Sequence, residues 1–177
     1  MKLIACLIMV LAVAVSARGV DLSSRALDYG VREIGISGGY FHQADTESHS
    51  FELNLRGGRM TGAGMEFELE GGWQRNWDDD YSHNLFTGVV NFMYNVRTYT
   101  SWSPFFLGGG GLAYERVSFN DDTDSSTDGL INFGGGAKLF FTREVALRLE
   151  YRYKIQFRDP DDITTHHILF GLSAFLP

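Results

Sequence analysis

Cysteine is almost missing from this chain: its one example is Cys6, so no disulfide can form and a cysteine-based metal or nucleophile site is excluded. Proline is scarce at 3 residues, and no segment beyond the N-terminus keeps a helical period for a useful length. There is no basic run to neutralise phosphates, and the formal charge is −7, which argues against nucleic acid as a partner. What remains is rich in 21 Gly, 14 Phe, 8 Tyr and 3 Trp. That mixture suits strands and tight turns.

The opening MKLIACLIMVLAVAVSARG has a basic residue at Lys2, an apolar run over 3–15 and small residues at 15–17. This is the pattern of a secretory signal peptide, with cutting expected after Ala17. Residues 18–29 then read as a short polar lead-in, and 30–177 as a single domain.

The clearest signal is VALRLEYRYKIQF, Val145 to Phe157. Val145, Leu147, Leu149, Tyr151, Tyr153, Ile155 and Phe157 fall on one face; Ala146, Arg148, Glu150, Arg152, Lys154 and Gln156 fall on the other. A period of two is that of a β-strand, whose successive side chains leave opposite faces. Similar alternation covers 32–41, 51–56, 65–74, 84–96, 130–141 and 166–176, and a Gly-rich run of ambiguous facing covers 105–119. That makes eight strands. Several run to 10–13 residues, beyond the 5–6 typical of soluble proteins and close to the 9–11 that a tilted strand needs to cross a bilayer.

The connections sort by charge. The odd-numbered ones, QADTESHS, RNWDDDYSH, NDDTDSSTDG and RDPDDITT, hold 12 of the 22 acids, whereas the even-numbered ones, GGRMTGAG, RTYTSWSP and TRE, hold only Glu144. In an up-and-down barrel the two sets lie at opposite ends, so the ends are expected to face different compartments.

Alternation alone allows a soluble barrel with its apolar face inward or a membrane barrel with that face on lipid. Volume decides. Eight strands enclose little more than their own inward side chains, and the apolar faces carry too many rings for that space. The polar faces fit instead. Glu52, Glu66, Glu68, Glu70 and Glu150 are balanced by Arg56, Lys138, Arg148, Arg152 and Lys154, and these ten are expected to form an ion-pair network inside the tube. The expected fold is an all-β, eight-stranded, antiparallel up-and-down transmembrane β-barrel with a plugged lumen.

REIGISGGYF, SPFFLGGGGLAYE and HHILFGLSAFL, in that order over about residues 30–176, resemble the small outer-membrane barrels of Gram-negative bacteria, the OmpA/OmpX and opacity-type surface antigens. The resemblance implies a place in the cell outer membrane, the N-terminus and short turns in the periplasm and longer loops outside. It also implies lipid and lipopolysaccharide as surroundings and insertion by the outer-membrane assembly machinery. The chain departs from the family in ending on Phe175, Leu176 and Pro177 where an aromatic residue usually stands. Compared with the longer OmpA proteins of that group, the resemblance implies no peptidoglycan-binding domain.

Other chemistries were weighed on the same residues. His42, His166 and His167 come near one another if strand 1 closes on strand 8, a conceivable metal site against the plainer reading of solvated rim histidines. NDDTDSSTDG is a candidate Ca²⁺ loop without EF-hand spacing. Divalent cations bridging it to lipopolysaccharide phosphates are a milder form of that idea. Asp80, Ser82 and His83 are neighbours, the residue types of a lipid-A-modifying enzyme, but adjacent strand residues face apart. A small-solute pore is the third class, disfavoured by the filled lumen. The reading the residues favour is a non-enzymatic barrel with a structural or surface-interaction role (envelope integrity, adhesion), no catalytic or metal residues, no cofactor, and a possible extracellular ligand at the acidic loops.

Overall fold

The computed structural model describes residues 21–42, 49–62, 64–78, 81–119, 122–160 and 162–177. The expected signal peptide, residues 1–17, lies outside them. One short helix, α1 (Ser23–Ala26), precedes eight strands: β1 (Arg32–His42), β2 (His49–Gly62), β3 (Met65–Asp78), β4 (Tyr81–Asn95), β5 (Trp102–Phe119), β6 (Asp122–Phe140), β7 (Val145–Phe157) and β8 (Ile163–Leu176). Each strand pairs antiparallel with its neighbours in sequence, and β1 pairs with β8 from Arg32↔Leu176 to Gly38↔Phe170, closing the barrel. Over residues 32–38 and 170–176 closure pairs the two edge strands, as a sheet that must sit in hydrocarbon requires.

The strands are longer than the alternation implied. β2 runs on to Gly62 through a register shift at Met60/Gly62, and β5 and β6 stay paired up to Phe119↔Asp122. Hydrophobic alternation marks only the part of a strand that crosses lipid; beyond it the ladder continues because backbone groups still need partners. The expected connection 57–64 therefore shrinks to a tight turn. Gly64 makes the turn possible, with φ +83° and space for no side chain: a Cβ there would lie 2.2 Å from the Asn95 carbonyl oxygen.

Facing follows the period of two. On β7, Arg148, Glu150, Arg152 and Lys154 are buried, whereas Tyr151 is 49% exposed and Leu147, Leu149 and Ile155 are partly exposed. The outer wall is a continuous apolar surface that includes Ile34, Leu55, Leu69, Phe92, Phe133, Phe170 and Leu172, all exposed.

The two ends of the tube differ. At the end carrying both termini, the lead-in does not behave as a polar tail. Ala26 and Leu27 are buried against Met60, Phe140, Ala146 and Phe175, with Leu22 and Val31 packed alongside. Hydrogen bonds from Ser23 N to Thr100 O (3.2 Å), Gly30 N to Met60 O (2.9 Å) and Met60 N to Val31 O (2.8 Å) fix the segment under the barrel mouth. A second apolar group, Met93, Phe105 and Leu107, lines the wall just above. Gly136 lets Phe105 lie flat against that wall, since a Cβ on it would meet the Phe105 ring edge at 2.9 Å. The remaining lumen is mainly polar, with Val89, Ala113, Leu130 and Leu169 as buried apolar residues among the charges.

Candidate functional site: the charged lumen

The charges stand in columns because inward positions recur every second residue. β7 contributes Arg148, Glu150, Arg152 and Lys154, β3 contributes Glu66, Glu68 and Glu70, β2 contributes Glu52 and Arg56, and β6 contributes Lys138. All ten are buried. They meet across the tube, so acids and bases far apart in sequence become partners.

Nearest the terminal end, Lys138 Nζ lies 2.5 Å from Glu33 Oε2 and 3.0 Å from Glu66 Oε2. Its ammonium also sits 5.6 Å from the Phe105 ring centroid and 5.5 Å from that of Phe175, within cation–π range. Ser173 Oγ donates to Glu33 Oε1 at 2.6 Å, and Asn95 Nδ2 to Glu66 Oε2 at 3.1 Å.

Arg148 forms the hub of the next layer. Its guanidinium reaches Glu68 Oε2 at 2.7 Å, Glu150 Oε2 at 2.7 Å and Glu33 Oε1 at 3.4 Å, with the Phe105 ring 4.6 Å away. Arg56 joins Glu150 at 3.2 Å and Glu70 at 3.9 Å and donates a short hydrogen bond to Ser37 Oγ. Arg152 clamps both oxygens of Glu70 and donates from Nε to Glu150 Oε1 at 2.6 Å. A planar fork facing a carboxylate is the strongest geometry available to such a pair.

Above these, Glu52 is shared by Lys154 Nζ at 2.5 Å and His167 Nδ1 at 2.5 Å, while His167 Nε2 lies 2.7 Å from Thr165 Oγ1. At the loop end Arg158 pairs with Glu115 and with Asp128 at 3.1 Å, and Gln156 Nε2 donates to Asp128 at 2.7 Å.

Glu33, Glu115, Asp128, Arg158 and His167 belong to this network without having been assigned to it from the sequence. Glu33 alternates with the outward Arg32 and Ile34, so its facing was legible. Counting it gives six carboxylates in the central layers (Glu33, Glu52, Glu66, Glu68, Glu70, Glu150) beside the five cations Arg56, Lys138, Arg148, Arg152 and Lys154, with His167 in hydrogen-bond contact with Glu52. His167 corrects the expectation of solvated rim histidines: it is 3% exposed, on the face opposite Ile168 and Phe170. His166 points outward instead. Its Nδ1 lies 2.6 Å from Tyr151 Oη, and its ring centroid lies 5.0 Å from that of Tyr153. The two histidines thus occupy opposite sides of the wall and cannot share a metal ion; the side chain of His42 lies outside the described residues.

The candidate Ca²⁺ loop is mostly strand, since Asp122–Gly129 is paired with β5, and Asp128 is already held by Arg158. Residues 120–121 fall outside the described residues, as does Asp80. Ser82 and His83 are successive residues of β4. The carboxylates that do converge are Glu33, Glu66 and Glu68, whose oxygens lie within 4.8 Å of one another and could hold a cation. Lys138 already bridges Glu33 and Glu66, and Arg148 bridges Glu33 and Glu68, so the protein's own cations occupy this corner.

A family model described as outer membrane protein beta-barrel domain matches residues 3–174. No curated protein matches the chain in sequence. Solved structures share the fold at low identity. The neisserial surface protein A is similar with a TM-score of 0.66 at 14% identity, covering 81% of this chain and 94% of that one. The attachment invasion locus protein Ail of Yersinia pestis gives 0.59 at 12% identity, covering 84% and 99%. The N-terminal barrel domain of Pseudomonas aeruginosa OprF gives 0.58 at 16% identity, covering 84% and 98%.

Proposed function

The chain belongs to the outer membrane protein beta-barrel domain family, and from that premise we propose that it is a non-enzymatic barrel of the outer membrane with a closed lumen and a surface-interaction role. The observation that carries this reading is the cross-tube bridging by arginine: Arg148 and Arg152 each join carboxylates from β7 and β3 across the bore. Such bridges fill an eight-stranded tube, in keeping with the narrow interior of small barrels. They also consume the charges that a hydrolytic site would need free. The terminal end, stoppered by Leu27 and its neighbours, faces the periplasm in this proposal, and the acidic loop end faces out. Insertion by the assembly machinery belongs to the same proposal.

Ail carries attachment in its name, and it has been solved with a heparin analogue, sucrose octasulfate. The acidic loops here disfavour such a polyanion. They suit a partner bearing cationic groups, or divalent ions held against lipopolysaccharide. The competing reading is a lipid-A-modifying enzyme. The test is planar-bilayer recording of the purified barrel together with lipid A profiling of a deletion strain. Absence of stable conductance steps and an unchanged acyl pattern are expected. A stable channel, or an acyl change rescued by the wild type and not by His83→Ala, would overturn the proposal.

A further inference from the structure

The outer wall is apolar between its margins, yet two arginines stand side by side on it. Arg32 of β1 pairs directly with Arg59 of β2 in the register of the sheet, and both point outward and are exposed. Directly opposed residues hold their Cβ atoms about 4.5–5.5 Å apart, and like charges in that position repel. No ion pair joins either arginine to a carboxylate among the described residues. Their flanking partners in the same row are Leu176 on β8 and Phe67 on β3, both apolar. The row lies at the terminal margin of the lipid-facing surface, where long basic side chains extend their heads to the interface.

The wall above the pair is notched. Outward Gly57, two residues from Arg59, lies between Ile34 and Leu69, and a Cβ placed on it would meet nothing within 4 Å. Below the pair, Tyr29 is 76% exposed and lies 3.8 Å from a Cβ placed on Gly62. A phosphate between two guanidinium forks, an open strip of apolar wall for an acyl chain and a tyrosine at headgroup level together describe one kind of ligand.

We propose that Arg32 and Arg59 form a binding site for the phosphate of a glycerophospholipid in the periplasmic leaflet, with one acyl chain lying in the notch over Gly57. This rests on the orientation proposed above and is independent of the role assigned to the loops. The phosphate relieves the repulsion that the pair otherwise carries. Planar guanidinium groups suit it because they offer paired donors to phosphate oxygens. Among the described residues the loop-end margin does not offer the same arrangement. Arg75 and Arg116 share a row there, but Asn84 of β4 stands between them, a separation of about 10 Å at two strand spacings.

The test uses the full folded chain in an uncharged maltoside detergent, titrated with dioleoyl phosphatidylglycerol and read by native mass spectrometry. One tightly held lipid per barrel is expected. The double substitution Arg32→Gln/Arg59→Gln should weaken its retention roughly twenty-fold, the effect of two basic residues at an anionic membrane surface. Arg75→Gln/Arg116→Gln should leave it within about twofold. Unfolding midpoints give a second, opposite-signed readout for Arg59→Gln alone: raised in the uncharged detergent, where repulsion is removed, and lowered in phosphatidylglycerol bilayers. Equal loss from both double variants would reduce the effect to bulk charge and overturn the site. So would displacement of the lipid by an equal concentration of inorganic phosphate, tighter capture of lipid A by the same pair, or a midpoint that moves the same way in both surroundings. An inverted orientation alone would leave the mass-spectrometric result intact, so its failure is distinguishable.

Discussion

The two faces of β7 are thirteen residues of one backbone with opposite solvents. Arg148 and Arg152 are at most 1% exposed, while Tyr151 between them is 49% exposed. In a soluble protein the more accessible face would carry the charge. Here the accessible face is the greasy one, so accessibility has ceased to mean contact with water. The difference teaches that period-two patterning fixes which residues share a face, but the bore's volume and the pairing of charges fix which face turns inward.

The comparison can be broken from either side. The largest effect is expected inside. Arg148→Met strips one cation from Glu33, Glu68 and Glu150 together, and leaving buried charge unpaired costs about 3–5 kcal/mol. Urea unfolding in bilayers should show the loss, and adding Glu68→Gln to the variant should recover part of it. On the outer face the reverse change is harmful. Leu69→Arg places a charge near the middle of the β3 apolar run and should cost about 2–4 kcal/mol by the same measurement, whereas Leu69→Met should be nearly silent.

A second contrast, between the two ends, sets the next steps. The terminal end is closed by apolar packing, so Leu27→Ala, removing a fully buried side chain, should cost about 2–5 kcal/mol. It should also speed hydrogen exchange at the amides of Gly30 and Met60, which bond across that contact. The loop end is held by charges nearer the tube's mouth, of which Arg158 is the most exposed. Arg158, 28% exposed at its side chain, should contribute no more than about 1 kcal/mol to stability when changed to Gln, and that contribution should shrink with added salt.

Much of this was written in the alternation. The eight strands and the inward set on β2, β3, β6 and β7 follow from period two, because lipid and lumen impose opposite chemistry on neighbouring residues. What was illegible lies where that contrast weakens. Near the terminal mouth both faces are apolar: Met60, Phe140 and Phe175 point inward to meet Leu27, so the period gives no sign of facing. The four-residue α1 is too short to show a helical period. His167 was hidden by its company, a histidine beside acidic loops that a single residue of parity carries inside the wall. Glu33 was available to the same parity argument as its neighbours, since only its position beside Arg32 set it apart from the lumen acids.

The orientation of the wall is best tested on β7 itself. Because Cys6 is the only cysteine and lies before residue 18, a folded barrel lacking 1–17 accepts single cysteines without background. Spin labels at positions 147, 149, 151, 153 and 155, with 146 and 156 as inward controls, report collision with oxygen, which dissolves in lipid, and with a water-soluble nickel chelate. High oxygen and low nickel accessibility at every odd position, with both low at 146 and 156, is the predicted pattern. Odd positions open to nickel and closed to oxygen would place the apolar side in the bore and contradict the account.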